Sequence, residues 1–523
     1  MNMIRSIVGA LLLLLALQTT AQKTVSKLPG EYWWGGQTAR YSDMPFEEGF
    51  EADLTEDFGA QVQTLLISNK GRYIWNETPF SFKVDQYDIV LSEGEGFVIG
   101  QKGKTLASAQ KYVAKNFLPQ GNRPPHRGIS QKPQYDLEVE LGMGLNQDAV
   151  IRFAERLIEE EFPAGILRFG DSWHSYPGDF TFDGGKFPDA LKMIRKLHEM
   201  GFQVIVDVSP FISPDSEVFR TLHKENDAFL KDALDPEAVK LVKWEKGYSA
   251  LLDLSNAEVQ VWFKDMLKRT KKNYGVDGFN FLAGNLDHFT DVVAAESIAP
   301  SELAIEYARI GLSQKISYLG PGSQMGGYPL VRSLPSEELS WNSLSTMVDA
   351  VALQGIMGYP HSHMSFYFDN SNPRDTIDQD LIVRTAQLQA FMPSMSSLPI
   401  PMSLLDQEHK AAYKKALSIR EELGAEISKL ASKAASTGVP LIQSMEYAFP
   451  DKGYIDIRDQ FMLGKDYFVA PVVEPNQTKK EVTLPKGNWL ASNGKVYIGP
   501  TKETFKVTLD DVLYFKRVFF KEQ

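Results

Sequence analysis

Two histidines and two aspartates have the side-chain types that a metal site or an acid–base catalyst requires. His361 and His363 lie two residues apart, which places both on one side of a strand, and Asp207 or Asp369 could complete a metal site with them. No further ligand stands at a telling distance, and polar histidines at the rim of a pocket are commoner than metal ligands. The chain also lacks the glycine motifs of nucleotide-binding folds. We therefore expect no metal and no cofactor.

The stretch YGVDGFNFLAGNLDH, residues 274–288, predicts a strand that delivers a loop to a pocket. Phe279 and Phe281 alternate with Asn280, as expected of a buried strand that leaves a helix and ends at a functional rim. Asp287 lies in the loop that follows. We expect this loop to face the pocket.

The order of strand and helix patterns predicts the fold that holds this loop. Apolar runs such as GILRF, FQVIVDVSPF, VDGFNF and KISYLG alternate with amphipathic segments at 149–161, 187–200, 256–272 and 300–314. A further helix is predicted at 404–437. Alternation over roughly 250 residues favours an α/β fold of the (β/α)₈ TIM-barrel type over a doubly wound sheet. We assign the barrel to residues 131–438.

Two β-rich regions flank the predicted barrel. Residues 22–130 contain short runs separated by turn residues and then the Pro- and Gly-rich LPQGNRPPHRG, which predicts an N-terminal β domain followed by a helix and a linker. Residues 439–523 return to alternating or apolar runs, which predicts a C-terminal β-sandwich domain.

The first 21 residues have the pattern of a signal peptide. Arg5 precedes an apolar run from Ile7 to Leu17, and small residues lead to Ala21. The run is too short for a comfortable membrane span, so we expect an exported protein, periplasmic or secreted, without stable membrane insertion.

The chain has no cysteine, which excludes disulfides and thiolate metal sites. Its formal net charge of -12 argues against nucleic acid as a partner.

Several longer motifs occur in one order along the chain. They are GDSWHSYPGDFTFDGGKFPDALKMIRKLHEMGFQVIVDVSPFI, WEKGYSALLDLSNAEVQVWFKDML with GVDGFNF, LQGIMGYP, TAQLQAFMPSM and FPDKGYIDIRDQFMLGKDYFVAPVV. In this order they resemble glycoside hydrolase family 31, the retaining α-glucosidases and α-xylosidases. The first motif looks like the first two barrel strands of that family. The resemblance implies a carbohydrate-active TIM barrel with an oligosaccharide or glycoside as its ligand.

The resemblance also implies which residue should carry the chemistry. Retaining hydrolysis needs a carboxylate nucleophile about 5 Å from a carboxylic acid. The family strand reads like GFKFDAGE, whereas this chain reads GFNFLAGN, so Leu282 stands at the nucleophile position. Asn280 and Asn285 replace the Lys and Glu beside it. We expect the usual retaining reaction to be lost, because a Leu side chain cannot attack an anomeric carbon.

The acid position is altered too. In LVRSLPSEELSW, Glu337 or Glu338 could supply the proton, and Glu338 has the better spacing from Trp341. The alternative is that both are exposed loop carboxylates. Arg332 could point at sugar hydroxyls or at the acid, or it could close a structural ion pair.

Further residues are candidates for sugar contacts by resemblance. Asp171 is retained, Trp173 and Phe279 could stack on a sugar face or belong to the core, and Asp207 is a new carboxylate at a strand end. Asp369 ends the stretch in which Ser365 replaces the substrate-binding Asp of the family.

Two functions remain open from the sequence. The first is an exported hydrolase of α-linked glycans with an atypical active site that uses displaced carboxylates such as Asp171, Asp207, Asp287 and Glu338. The second is a catalytically inactive family member, a pseudoenzyme, that binds glycans without hydrolysing them. The coordinated loss of charged groups around Leu282 favours the second, and the new acidic residues favour the first. A scaffold without sugar contact is a third possibility.

Overall fold

A computed structural model describes residues 22–56, 59–119, 121, 123–225, 228–244, 247–320, 322–368 and 377–519. The expected signal peptide, residues 1–21, and Asp369 lie outside the described residues. No helix in these ranges is long and apolar enough to cross a bilayer.

The N-terminal region consists of two four-stranded antiparallel sheets, ordered β1-β7-β6-β3 and β2-β4-β5-β8, followed by one helix. The elements are β1 Lys23–Ser26, β2 Trp33–Gln37, β3 Glu51–Asp53, β4 Val62–Ser68, β5 Arg72–Trp75, β6 Ser81–Val84, β7 Asp88–Ser92, β8 Val98–Gln101 and α1 Leu106–Asn116. Every residue of β4 is buried. The strand pairs with β2 on one side and β5 on the other, and the Val62 amide at its start donates to the Gly322 carbonyl of a barrel loop. The predicted β domain and its following helix are therefore present.

The central region contains a parallel seven-stranded sheet ordered β21-β19-β18-β16-β11-β10-β9. Its strands are β9 Gln134–Asp136, β10 Ile166–Phe169, β11 Gln203–Val208, β16 Gly278–Phe281, β18 Ile316–Leu319, β19 Val331–Ser333 and β21 Ser362–His363. The segment at Met395 pairs in parallel with Pro133 and accepts a hydrogen bond from the Gln134 amide at 3.1 Å. The Ser394 hydroxyl donates to the Ser362 carbonyl at 3.0 Å, so this segment connects the last strand to the first and closes a TIM barrel.

Helices surround the barrel, and short strands stand in its loops. The helices are α2 Arg127–Gln131, α3 Leu137–Leu141, α4 Gln147–Glu159, α5 Ala190–Glu199, α6 Glu217–Leu222, α7 Ala257–Tyr274, α8 Pro300–Leu312, α9 Trp341–Ile356, α10 Gln379–Gln389 and α11 Gln407–Thr437. The loop strands are β12 Phe211–Ile212, β13 Lys231–Asp232, β14 Leu241–Trp244, β15 Gly247–Leu251, β17 Val292–Val293, β20 Glu337–Glu338 and β22 Phe366–Tyr367.

The helix that precedes the candidate site is defined by its ends. The Asn256 side chain accepts a hydrogen bond from the Glu258 amide and caps the start of α7. Gly275 ends the helix with φ +82°, a left-handed conformation that glycine adopts without a steric cost. The chain then enters β16 within three residues, as predicted for the stretch 274–288.

One strand assignment from the sequence is wrong. The motif from GDSW to SPFI, expected to match the first two barrel strands, begins at the end of β10 and contains β11, which are the second and third strands of the sheet. The first strand is β9, which has only three residues, QYD, and is too short to show an apolar run.

The C-terminal region forms a six-stranded antiparallel sheet in the order β23-β24-β25-β28-β26-β27. Its elements are β23 Ile442–Ser444, α12 Met445–Ala448, β24 Phe461–Leu463, β25 Tyr467–Val469, β26 Lys479–Ala491, β27 Val496–Lys506 and β28 Tyr514–Val518. Trp489, Phe468 and Phe515 pack together in its core, as expected for the predicted β-sandwich domain.

Candidate functional site

A cavity of about 320 Å³ opens at the carboxyl ends of the barrel strands. This is the end at which the loops of a TIM barrel carry function. The lining residues used below are Gln134, Asp136, Arg168, Trp244, Asn280, Leu282, Asn285, His288, Ser333, Ser336, His363, Ser365, Ser396 and Ser397.

An arginine between two aspartates forms the charged floor of this cavity. Arg168 on β10 donates from Nη1 to Asp136 Oδ2 at 2.6 Å, and from Nε and Nη2 to the two oxygens of Asp207 at 2.8 and 2.5 Å. Asn280 on β16 donates from Nδ2 to Asp207 Oδ1 at 2.8 Å. Neighbouring strands in parallel register bring these four side chains together. One cation is thus neutralised by two carboxylates before any ligand arrives.

Burial and pairing act in opposite directions on this cluster. Burial raises the pKa of Asp207 to about 6, although Arg168 and Asn280 hold it down. Burial would lower the pKa of Arg168, but Asp207 and Asp136 outweigh it, and the net change is upward. Both groups are therefore charged at neutral pH, and the paired Asp207, with 1% of its side chain exposed, has no oxygen free for a substrate.

Leu282 lies directly after β16, at the rim of the cavity. Its amide donates to the Val208 carbonyl at 2.8 Å, and its carbonyl accepts from the Tyr307 hydroxyl at 2.8 Å. Ala283 and Gly284 follow with φ +63° and +102°, which turns the chain away from the strand. The backbone thus holds the Leu282 side chain where the sequence resemblance expects a nucleophile.

His363 is a neutral hydrogen-bond acceptor in the cavity. The Ser394 hydroxyl donates its one hydrogen bond to the Ser362 carbonyl, so it must accept in its 2.9 Å hydrogen bond with His363 Nδ1. Nδ1 of His363 therefore carries the proton. Nε2 is then unprotonated. Burial, together with the charge of Arg168, lowers the pKa of His363 to about 3.

Trp244 and His288 add two polar atoms to the same wall. Their rings meet edge to face with centroids 6.0 Å apart. In the described part of the chain, Trp244 Nε1 and His288 Nδ1 are buried and have no hydrogen-bond partner. Buried polar atoms of this kind require a partner, and both belong to residues that line the cavity.

The two candidate acids from the sequence do not line the cavity. Glu337 accepts a 2.5 Å hydrogen bond from the Tyr41 hydroxyl of the N-terminal region, and Glu338 is exposed on the two-residue strand β20. Asp287 is exposed and is also absent from the cavity wall. These carboxylates are therefore not brought together around Leu282, and a catalytic role for them stays a prediction.

The expected sugar-binding residues are placed differently from one another. Trp173 and Phe279 have no exposed surface and belong to the core, so stacking on a sugar is ruled out by burial. Trp173 donates instead to the Asp207 carbonyl at 2.7 Å. Asp171 lies 3.2 Å from His174 Nε2 and is not in the cavity wall.

Arg332 and His361 are buried beside the barrel strands. Arg332 donates from Nη1 to the Gly320 carbonyl at 2.7 Å, and it forms no ion pair with a described carboxylate. The ion pair expected for it is therefore absent among the described residues, and its contact with a sugar stays a prediction. His361 is buried as well. Among the described residues, no group of three or more His, Asp or Glu side chains is placed to hold a metal.

Sequence reasoning missed Arg168 and Asp136. The available signal was a single charged residue, Arg168, inside the apolar run GILRF, whose remaining side chains are all buried. A charge on the inward face of a barrel strand needs a partner, and the partner on β9 could have been sought from that rule.

Comparison with known proteins identifies the family to which two domains of the chain correspond. Residues 132–292 match the TIM-barrel domain of the glycosyl hydrolases of family 31, and residues 438–522 match the C-terminal domain of that family. The chain belongs to glycoside hydrolase family 31. A myogenesis-regulating glycosidase from Mus musculus is 28% identical over 533 residues, covering 92% of this chain and 74% of the relative. The α-xylosidase XylQ from Lactiplantibacillus pentosus is 24% identical, covering 68% of this chain, which spans only 49% of XylQ.

Solved structures of family 31 enzymes share the fold of this chain. An α-xylosidase from a soil metagenome, complexed with xylose, aligns with a TM-score of 0.81 at 19% identity, covering 95% of this chain and 79% of the enzyme. A dextranase from Flavobacterium johnsoniae, complexed with glucose, aligns with a TM-score of 0.82 at 17% identity, covering 95% and 66%. The barrel with its two flanking β regions is therefore the family architecture.

Proposed function

We propose that this chain is an exported, glycan-binding member of family 31 that has an atypical active site and does not use the retaining reaction. One observation carries the proposal. Among the described residues that line the cavity, Asp136 is the only carboxylate, and it is held by Arg168 at 2.6 Å. Leu282 occupies the strand end where the family resemblance expects the nucleophile.

The missing carboxylate pair bears directly on the chemistry. A retaining hydrolase forms a covalent bond between a carboxylate and the sugar, and a second carboxyl group protonates the leaving oxygen. Leu282 offers no nucleophilic atom. Removing a nucleophile typically lowers turnover by several orders of magnitude and leaves only binding and electrostatic effects.

The rest of the cavity supports recognition of a neutral sugar. Amides, hydroxyls and the His363 acceptor can pair with sugar hydroxyls, and these groups are Gln134, Asn280, Asn285, Ser333, Ser336, Ser365, Ser396 and Ser397. A volume of about 320 Å³ lies at the small end of ligand sites, which suits the terminal sugar of an α-linked glycan.

Calorimetry combined with a turnover assay tests the proposal. We expect α-glucosides, α-xylosides or α-galactosides to bind without release of product. Ser336→Trp, which adds bulk at the cavity rim, should weaken binding at least tenfold, about 1.4 kcal/mol. Ser432→Trp on the exposed face of α11 is the matched control and should leave binding unchanged. Absence of heat for every glycan, or product formed by repeated turnover, would overturn the proposal.

The second candidate is hydrolysis by displaced carboxylates. It is favoured by the position of Asp136, a carboxylate that lines the cavity beside Arg168. An inverting enzyme needs an acid and a base about 6.5 to 9.5 Å apart around a water. This route requires turnover on the same panel that falls in Glu338→Gln or Asp136→Asn. No turnover in the parent chain rejects it.

Export of the chain rests on the charge and the apolar run within residues 1–21. Expression with cell fractionation, followed by sequencing of the mature amino terminus, tests this part. We expect cleavage after Ala21 and recovery outside the cytoplasm. An intact amino terminus in the cytoplasm would contradict it.

A further inference from the structure

A second region of the chain presents cations to two adjoining cavities. One cavity of about 550 Å³ lies between α1, α11 and the C-terminal sheet, and another of about 700 Å³ lies along the C-terminal domain. Both are lined by Ala448, Phe449, Pro450 and Arg517, so they adjoin at these residues, and the two together are here called the basic groove. Each volume falls in the range of ligand sites.

Every charged residue that lines the basic groove is positive. The six residues are Lys111, Lys433, Lys452, Lys465, Lys486 and Arg517, and no Asp or Glu is among the lining residues. The whole chain has 67 Asp and Glu against 55 Lys and Arg, so this distribution is opposite to the chain average. Such a patch creates a local positive potential on an otherwise acidic protein.

These cations are not neutralised within the described part of the chain. None of the six forms an ion pair there, whereas nearby lysines outside the groove do: Lys70 pairs with Asp451, and Lys480 pairs with Asp459. The five groove lysines are exposed, so their charges are available to a ligand in solution.

Arg517 lies where the two cavities join. Its guanidinium carbon stands 4.8 Å from the Trp489 ring centre and 5.7 Å from that of Phe449, within the range of cation–π contacts. Its Nε is buried and has no hydrogen-bond partner in the described residues. Burial lowers its pKa, and Asp466, outside the groove, acts in the other direction. Arg517 lines both cavities, and a guanidinium is suited to a planar or tetrahedral anion.

Aromatic side chains accompany the cations. Phe449, Tyr454 and the 81%-exposed Phe519 line the same groove. Aromatic faces next to cations match a ligand that carries both apolar C–H faces and anionic groups. A sugar ring with a carboxylate or a sulfate has this combination.

We propose that the basic groove binds an acidic glycan, an oligosaccharide bearing uronate or sulfate groups, at a site separate from the barrel cavity. The choice of a glycan over an acidic peptide rests on the proposed function, while the requirement for an anion rests on the groove alone. The barrel cavity holds a neutral sugar, and the groove holds a charged section of the same or another glycan.

Titration calorimetry on the full mature chain tests this proposal with three probes of equal length: a sulfated maltohexaose, an oligogalacturonate hexamer and neutral maltohexaose. The triple substitution Lys433→Gln, Lys465→Gln and Lys486→Gln should weaken binding of a charged probe at least tenfold. Binding of neutral maltohexaose at the barrel cavity should stay unchanged. Raising the salt concentration from about 0.05 M to about 0.3 M should weaken only the charged probes.

The matched control removes three exposed lysines that line neither groove nor cavity, Lys192→Gln, Lys224→Gln and Lys268→Gln. It has the same net charge as the groove variant, so equal losses in both would mean a general charge effect and would overturn the site. Failure of both charged probes to bind would also overturn it, whatever neutral maltohexaose does. Tighter binding of a hexaglutamate peptide than of either charged sugar would reject the glycan and retain only the anion site.

Discussion

The barrel cavity and the basic groove differ in whether their positive side chains are paired with carboxylates. In the cavity, Arg168 is neutralised by Asp136 and Asp207 through three hydrogen bonds of 2.5–2.8 Å. In the groove, six cations have no carboxylate beside them in the lining. A cation that is already paired contributes to the stability of the fold, whereas an unpaired exposed cation is available to a ligand. This difference is the basis for proposing a neutral-sugar site in the cavity and an anion site in the groove.

The largest expected effect on stability comes from removing the paired cation of the barrel cavity. Arg168→Met leaves Asp136 and Asp207 without their counter-charge in a mostly buried place, which typically costs about 3–5 kcal/mol. Urea denaturation should show this loss in the free energy of unfolding. Arg195→Met, at an exposed position on α5, is the control and should change it by less than about 0.5 kcal/mol. Equal stability of the two variants would mean that the cluster is not a structural pair.

The pH dependence sharpens the same point through His363. Its pKa is about 3 in the folded chain, lowered by burial, against about 6.5 when unfolded. The unfolded state binds the proton more readily, so stability is lost as the pH falls from about 6.5 towards 3, by up to about 1.4 kcal/mol per pH unit. His363→Gln should therefore lose about 2 kcal/mol less than the parent chain between pH 7.5 and pH 5.0.

Urea denaturation at the two pH values measures this difference directly. His223→Gln, which replaces an exposed histidine, serves as the control and should follow the parent chain. If His363→Gln also follows the parent, then the imidazole is accessible to protons and is not the neutral acceptor inferred from its bond to Ser394.

The smallest expected effect is on the unpaired side. The groove variant with Lys433, Lys465 and Lys486 changed to Gln should differ from the parent by less than about 0.5 kcal/mol in unfolding free energy, because exposed unpaired charges stabilise little. Urea denaturation alongside the calorimetry would check this. A loss of several kcal/mol would show that these lysines support the fold, and the contrast between the two regions would fail.

The fold was predictable because its signals are local. Alternation in GFNF and the Asn256 and Gly275 ends of α7 are properties of neighbouring residues, and they place Leu282 at the end of β16 as expected. The helices predicted at 149–161 and 404–437 are α4 and α11, with ends shifted by up to three residues.

The site was less predictable because its contacts are between distant strands. Arg168 is 32 residues from Asp136 and 39 from Asp207, and only the barrel register brings them together. The same cause explains Trp173 and Phe279, whose types suit sugar stacking but whose strand and turn positions face the core. Glu337 has its partner, Tyr41, in a different region of the chain, 296 residues away.

The most direct test of the central claim is intact mass spectrometry after incubation with a mechanism-based fluoroglycosyl fluoride, which traps the covalent intermediate of retaining enzymes. The account predicts no gain in mass, because no carboxylate in the described cavity is free to attack, while calorimetry in parallel shows that neutral glycan binds. A stoichiometric adduct would contradict the account, and peptide mapping would then identify the carboxylate that acts in place of Leu282.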